Sequence, residues 1–533
     1  MIHGNHLTLG GFMMKRAILY TLVLTLICAM CAGCIQDPEI TYEGTNIVLS
    51  NNGITVDGAA ASTDSTQAVY VAHDIVYYEA GHDFTYGEGT EADAHSVEEA
   101  AAHTVVHITQ PGQYILSGTL SMGQIAVDLG ENAAENPSAV VNLVLMNASI
   151  TCTVAPAIIF YNVYECGSKV EEIASANVNT SKAGANIILP EGTRNTVNGS
   201  YVAKIYKPDS VELSEDGKEV LDAKKLHKYD GAVYSRMSMN IGSSFGYGQL
   251  DINAANEGLD SELHLTINGG YIKIRSGNDG INTNEDNISV TTINGGTLDI
   301  VVTGQTGEGD GIDSNGWLVI NGGSVYAQGC ATSGDAGIDS DRGIHINGGF
   351  VFATGNMLDR IGESKQNYAV FQMAQSATGN FALRNSQGNN VLQREIYNSF
   401  TYLVISCYDM TVGDYTLWQD GTQLEGIATE NMGGQFPGGM MPPEGMEPPE
   451  GMTPPEGNQQ RPEGQEPPEG QRPPDGQQPP EGQQPDGRPD QGGRPDGGQF
   501  PGATGESSAT FTIQRGGSYF VSVRKTAAYL PIP

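Results

Sequence analysis

The chain has 533 residues, including 70 Gly, 26 Pro and only 2 Trp, and carries a formal charge of −36 from 62 acidic against 26 basic residues. A surface this negative excludes nucleic acid as a partner held by charge, and an acidic glycan would need a bridging cation. Glycine in such excess requires a fold with many tight turns, or low-complexity sequence, and both are present.

The amino terminus reads as an address. Lys15 and Arg16 precede an apolar run from Ala17 to Met30, followed by Cys31-Ala32-Gly33-Cys34. The run is short for a membrane span, and the small residues at its end read as a cleavage site. Ala-Gly-Cys resembles a bacterial lipobox, which implies removal of residues 1–33, lipidation of Cys34 and anchorage at the extracellular face of the cell membrane. The departure is Cys31, where that pattern usually has Leu; an ordinary signal peptide is the alternative. Four cysteines then remain, Cys152, Cys166, Cys330 and Cys407, at spacings that fit no zinc motif and assign no disulfide. No P-loop or dinucleotide fingerprint is present.

From residue 35 to about 155, apolar alternation bounded by Gly, Asn and Asp predicts short strands, as in Thr45-Asn46-Ile47-Val48-Leu49 and Val141-Asn142-Leu143-Val144-Leu145. A short helix is predicted over Ser96 to Thr104, with Ser96 as its cap.

An internal repeat follows. Ile-Asn-Gly-Gly begins at Ile267, Ile293, Ile320 and Ile346, at spacings of 26, 27 and 26, and each copy leads into a short alternating strand. Between the copies lies a second signature: Glu257-Gly258-Leu259-Asp260, Asp279-Gly280-Ile281-Asn282, Asp310-Gly311-Ile312-Asp313 and Ala336-Gly337-Ile338-Asp339. The period predicts an all-β right-handed parallel β-helix, a solenoid whose coils stack about 4.8 Å apart. Leucine-rich repeats share the period but not the consensus, and a nine-residue calcium roll does not continue. Stacked Asn268, Asn294, Asn321 and Asn347 would form a structural amide column.

In each second signature the Ile or Leu would face inward and the next residue outward. Asp260, Asn282, Asp313 and Asp339 then form one exterior column, with Asp279, Asp310 and Asp335 beside it. Carboxylates one rung apart would repel by about 3–4 kcal/mol per pair at an effective dielectric near 20. Ca2+ resolves that conflict better than Mg2+ with flexible oxygen ligands. The alternative is a solvated acidic face of turn-forming residues.

These repeats resemble the calcium-associated β-helix carbohydrate-binding proteins of anaerobic plant-fibre-degrading bacteria, whose fold is similar to that of pectate lyases. The likeness starts at Pro111-Gly112-Gln113-Tyr114 and runs through Asp230-Gly231-Ala232-Val233 and the Ile-Asn-Gly-Gly copies. It implies binding of a pectin-like or cellulose-like polysaccharide, with calcium at Asp260, Asp279, Asn282, Asp310, Asp313, Asp335 and Asp339. Asn282 and Ala336 stand where other copies have Asp, so the rungs are not equivalent. Tyr271 and Tyr326 are candidate sugar platforms, and Lys273 and Arg275 the candidate bases if the chain were instead a polysaccharide lyase. A structural surface adhesin is the third class.

Beyond the last repeat the chain changes character. Residues 34–361 are expected to form the β-helix and 362–431 the first part of a β-rich cap. Residues 432–503 form a Pro/Gly/Glu/Gln-rich insert, and 504–533 the last cap strands. Pro437 to Pro501 holds 12 acids and 4 arginines and no aromatic or aliphatic residue beyond Met, apart from Phe500. Such a tract cannot build a core and is expected to be disordered.

Overall fold

A computed structural model describes residues 42–242, 247–430 and 505–526. The signal segment, Cys34 and the whole Pro-rich insert lie outside the described residues.

The described chain is almost wholly β. Its one α-helix, Val97–Ala101, is started by Ser96, whose hydroxyl accepts the Glu99 N–H at 3.1 Å. The chain divides into two compact units. One takes the residues up to Cys166 with Asn179–Tyr229 and Ser235–Asp251. Within it, Thr45–Leu49 and Val141–Thr151 each pair in parallel with Gly112–Leu120, and Val141–Thr151 pairs again with Ala185–Ile188.

The other unit takes Gly167–Val178, Asp230–Tyr234 and the chain from Ile252 onward. Here the repeat does what its period requires. After each Ile-Asn-Gly-Gly turn a strand pairs in parallel with its counterpart one repeat on: Tyr271–Ser276 with Thr297–Val302, then Ser324–Gln328, then Phe350–Gly355. The inward column Ile272, Leu298, Val325 and Val351 is fully buried. Each such side chain contributes about 1.5–3 kcal/mol relative to exposure. The second glycine of the turn is obligatory. Gly296 has φ +82°, and a Cβ there would sit 2.6 Å from the Gly270 carbonyl oxygen one rung below.

The chain is all-β, but the expected right-handed parallel β-helix with a separate cap is corrected. Most strands belong to one large sheet of 23 that mixes parallel and antiparallel pairs, beside a seven-stranded sheet and two two-stranded ribbons. The parallel series ends at Phe350–Gly355, whose next partner, Asn390–Ser406, runs antiparallel. Four further strands then close into a ring. Tyr368–Asn385 pairs with Gly413–Gln419, which pairs with Thr422–Thr429, which pairs with Gly517–Lys525, which returns in parallel to Tyr368–Asn385. The physical reason is local. The Ile-Asn-Gly-Gly signature directs only the rows that carry it, whereas the strands of 18 and 17 residues at Tyr368–Asn385 and Asn390–Ser406 form a long hairpin with its own pairing.

All four described cysteines are free thiols. Burial pushes Cys152 up to about 12 and Cys407 up to about 11, so neither is a thiolate at neutral pH.

Candidate functional site

The acidic signatures stack as the repeat demands. Strand Glu257–Ser261 pairs in parallel with Ile281–Thr283, bringing Leu259 against Ile281 and Asp260 against Asn282. Ile281 bridges to Ile312 in the same sense, so Asp279 stands one rung from Asp310 and Asn282 one rung from Asp313. Two acid rows result: Glu257, Asp279 and Asp310 in one; Asp260, Asn282, Asp313 and Asp339 in the other.

The rows are not on the exterior. Asp260 is fully buried, and Glu257, Asp279 and Asn282 are 5%, 8% and 8% exposed. Asp310, Asp313, Asp335 and Asp339 are half-buried. Desolvation pushes Asp279 and Asp313 up to about 7 and Asp339 up to about 8, with neighbouring acids adding to each. Glu257 and Asp310 are raised well above the ordinary carboxylate range for the same two reasons. The nearby Arg342 is engaged elsewhere. It lies 3.6 Å from the Glu171 carboxylate and over the Trp317 ring.

Some of this negative charge is met by protein donors. Asp279 accepts the Asp310 N–H at 2.6 Å, and Asp260 accepts the Asn284 amide at 2.7 Å. Asn282 donates to Glu257 Oε1 at 3.1 Å. Asp335 departs from the rows. It accepts the Gly309 N–H at 2.6 Å and the Ser333 hydroxyl, which makes it a clamp on the loop before Asp310.

Not every acceptor in the rows is met. Glu257 Oε2 and Asn282 Oδ1 are buried with no hydrogen-bond partner. An orphaned buried oxygen costs about 1–3 kcal/mol, and a cation or a proton removes that cost. The donor set is all oxygen, which fits calcium rather than a soft metal. Among the described residues no three His, Cys, Asp or Glu side chains are already gathered around one point. An ion there would complete its shell from Asn282, backbone carbonyls or water. Sequence reading passed over two members. Glu257 was visible as the first residue of its own signature. Asp359, which neighbours Asp339 and accepts the Ser340 N–H at 3.0 Å, follows no repeat copy.

The four candidate sugar contacts lie on the strands that follow the turns. Register puts Lys273 beside Asp299 and Asp299 beside Tyr326. Arg275 is tied down: its guanidinium donates to the Asp299 carbonyl at 3.1 Å and lies 3.6 Å from the Asp299 carboxylate. Tyr326 is covered, with Arg394 over its ring at 3.2 Å. Tyr271, 37% exposed, keeps an accessible face.

A larger concavity lies elsewhere in the same unit. It is lined by Ala176, Asn177 and Val178 on one side, by Thr292, Asn294, Val319, Asn321, His345 and Asn347 on its floor, and by Glu363 and Lys365 at one end. Its floor contains the asparagine column expected from the repeat. Asn294, Asn321 and Asn347 each donate Nδ2–H to the preceding Asn Oδ1 at 3.0 Å, starting from Asn268.

No curated protein matches the chain. Among solved structures, one described as the polysaccharide lyase-like protein from C. thermocellum is 21% identical, covering 61% of this chain and 100% of that one. Its TM-score of 0.32 is too low to carry an argument about fold or activity. The profile of the carbohydrate-binding domain-containing proteins matches residues 102–379, a span that includes both acid rows from Glu257 to Asp359 and every residue lining the concavity, and the chain belongs to that family.

Proposed function

We propose that this protein binds a plant-type polysaccharide, pectin-like or cellulose-like, at the bacterial cell surface without cleaving it, and that calcium held in the acid rows supports the fold. The family match over residues 102–379 carries the binding reading. The orphaned oxygens of Glu257 and Asn282 support the calcium.

Enclosure changes the role expected of the ion. Carboxyl groups as buried as those of Glu257, Asp260 and Asp279 cannot share a calcium with a glycan outside, so an ion held by them acts on the rungs and not as a bridge. The candidate base Arg275 is held by Asp299, which favours binding over proton abstraction.

Affinity electrophoresis in polygalacturonate and in a neutral β-glucan should show retardation in calcium. Removal of calcium should abolish it at the same concentration that lowers the melting temperature, because the ion is structural. Retardation lost at calcium levels that leave melting unchanged would restore the bridging role. Sustained ultraviolet absorbance from unsaturated uronates, abolished by Lys273→Ala or Arg275→Ala, would establish a lyase instead.

The surface address rests on Cys34. Mass spectrometry of the native protein should find a diacyl or triacyl cysteine at the mature terminus, and an unmodified terminus at another residue would remove the anchor.

A further inference from the structure

We propose that the polysaccharide chain lies in the groove floored by the asparagine ladder, and that Lys365 at its end recognises a uronate carboxylate. This rests on the carbohydrate-binding reading and assigns that reading a place.

The groove has the dimensions and chemistry of an extended glycan site. Its cavity volume is about 670 Å3, within the usual range for ligand clefts of roughly 300–1,000 Å3. Its floor is periodic, since Thr292, Val319 and His345 occupy one position on successive rungs, and Asn294, Asn321 and Asn347 another. Successive rungs are about 4.8 Å apart, close to the length of one sugar ring in an extended chain.

Asn294 and Asn321 each spend one N–H and one lone pair on their neighbours, and Asn347 spends one N–H. A primary amide has a second N–H and a second lone pair, so the ladder presents a row of fixed donors, one per rung. Because each amide is already held, little side-chain entropy is lost when a hydroxyl docks on it. His345 adds the complementary function. Its Nδ1–H donates to the Glu363 carbonyl at 2.8 Å, which fixes the tautomer and leaves Nε2 as an acceptor for a sugar hydroxyl.

Two features select the glycan. Among the described residues no Trp, Tyr or Phe lines the groove, so flat stacking of a neutral chain has no platform there. Lys365 is exposed, and Glu363 is the one acid among the described residues that line the groove, on a chain of charge −36. An ammonium beside a row of amide donors matches a chain rich in both hydroxyls and carboxylates.

The test uses the full-length, calcium-loaded protein titrated with galacturonate oligomers and with neutral cello-oligosaccharides of equal length. Asn177→Trp fills the groove from an exposed loop position, and Lys365→Glu reverses the charge at its end. Melting temperatures check that both variants fold. The wild type should bind the acidic oligomer more tightly than the neutral one. Lys365→Glu should weaken acidic binding about tenfold or more, as a charge-assisted hydrogen bond of roughly 1.5–3 kcal/mol implies. Asn177→Trp should weaken both ligands. Wild-type affinity in both groove variants would overturn the groove while leaving carbohydrate binding intact. A loss in Asn177→Trp with none in Lys365→Glu would overturn the uronate. A wild type that binds no oligosaccharide would overturn the function itself.

Discussion

Removing calcium is expected to lower the melting temperature of this protein, and Asp313→Ala is expected to blunt the drop. The stacked signatures hold carboxyls that are buried, raised in pKa by desolvation and surrounded mainly by other acids. A divalent ion that binds the folded chain and not the unfolded one adds about 2.7 kcal/mol per site when present at 100 times its dissociation constant. For a chain this large each kcal/mol corresponds to roughly 2–4 °C or less. Asp313 belongs to the second row and is acted on by Asp279, Asp341 and Asp359. Its removal deletes both a ligand and a source of repulsion, so the variant should lose stability in calcium and change less on chelation. Differential scanning calorimetry with and without chelator measures both. Identical melting of the wild type in the two conditions would mean that protons, not metal, neutralise the rows.

Where one side chain decides the geometry, the sequence was readable. The doubled glycine after each Asn fixes a turn that no other residue can make, since Gly270, Gly296, Gly323 and Gly349 all have positive φ. From that turn follow the rung register, the inward Ile and Leu column and the asparagine ladder. The depth of Asp260 was not readable. Period-two alternation says that Asp260 points away from Leu259, but not what covers it, and both residues are fully buried. Nor does a periodic strand show that its outward aromatic is taken. Arg394 covers Tyr326 from a strand far along the chain, a contact that no local pattern encodes. The error in architecture has the same origin. Four copies of a signature govern only their own rows, and the later strands are long, antiparallel and closed into a ring.

Stability of the metal-stripped protein should fall as pH rises from about 4 to about 8, the reverse of ordinary acid denaturation. Free carboxyls titrate near 3.9–4.3, whereas Asp279 and Asp313 titrate at about 7 and Asp339 at about 8 in the folded chain. Between those limits the folded state binds more protons than the unfolded state, so the unfolding free energy decreases with pH. The contribution is fully present below the unfolded values and is lost as pH passes through the folded ones. Calcium competes with those protons for the same oxygens, so the loaded protein should show little such slope. Asp339→Asn, which keeps the neutral shape without the titration, should flatten the slope of the stripped protein. Urea midpoints at pH 5 and pH 8 on protein stripped by gel filtration into metal-free buffer decide the matter. A stripped protein more stable at pH 8 than at pH 5 would mean that the rows are hydrated and ionised, and calcium would then have no enclosed charge to relieve.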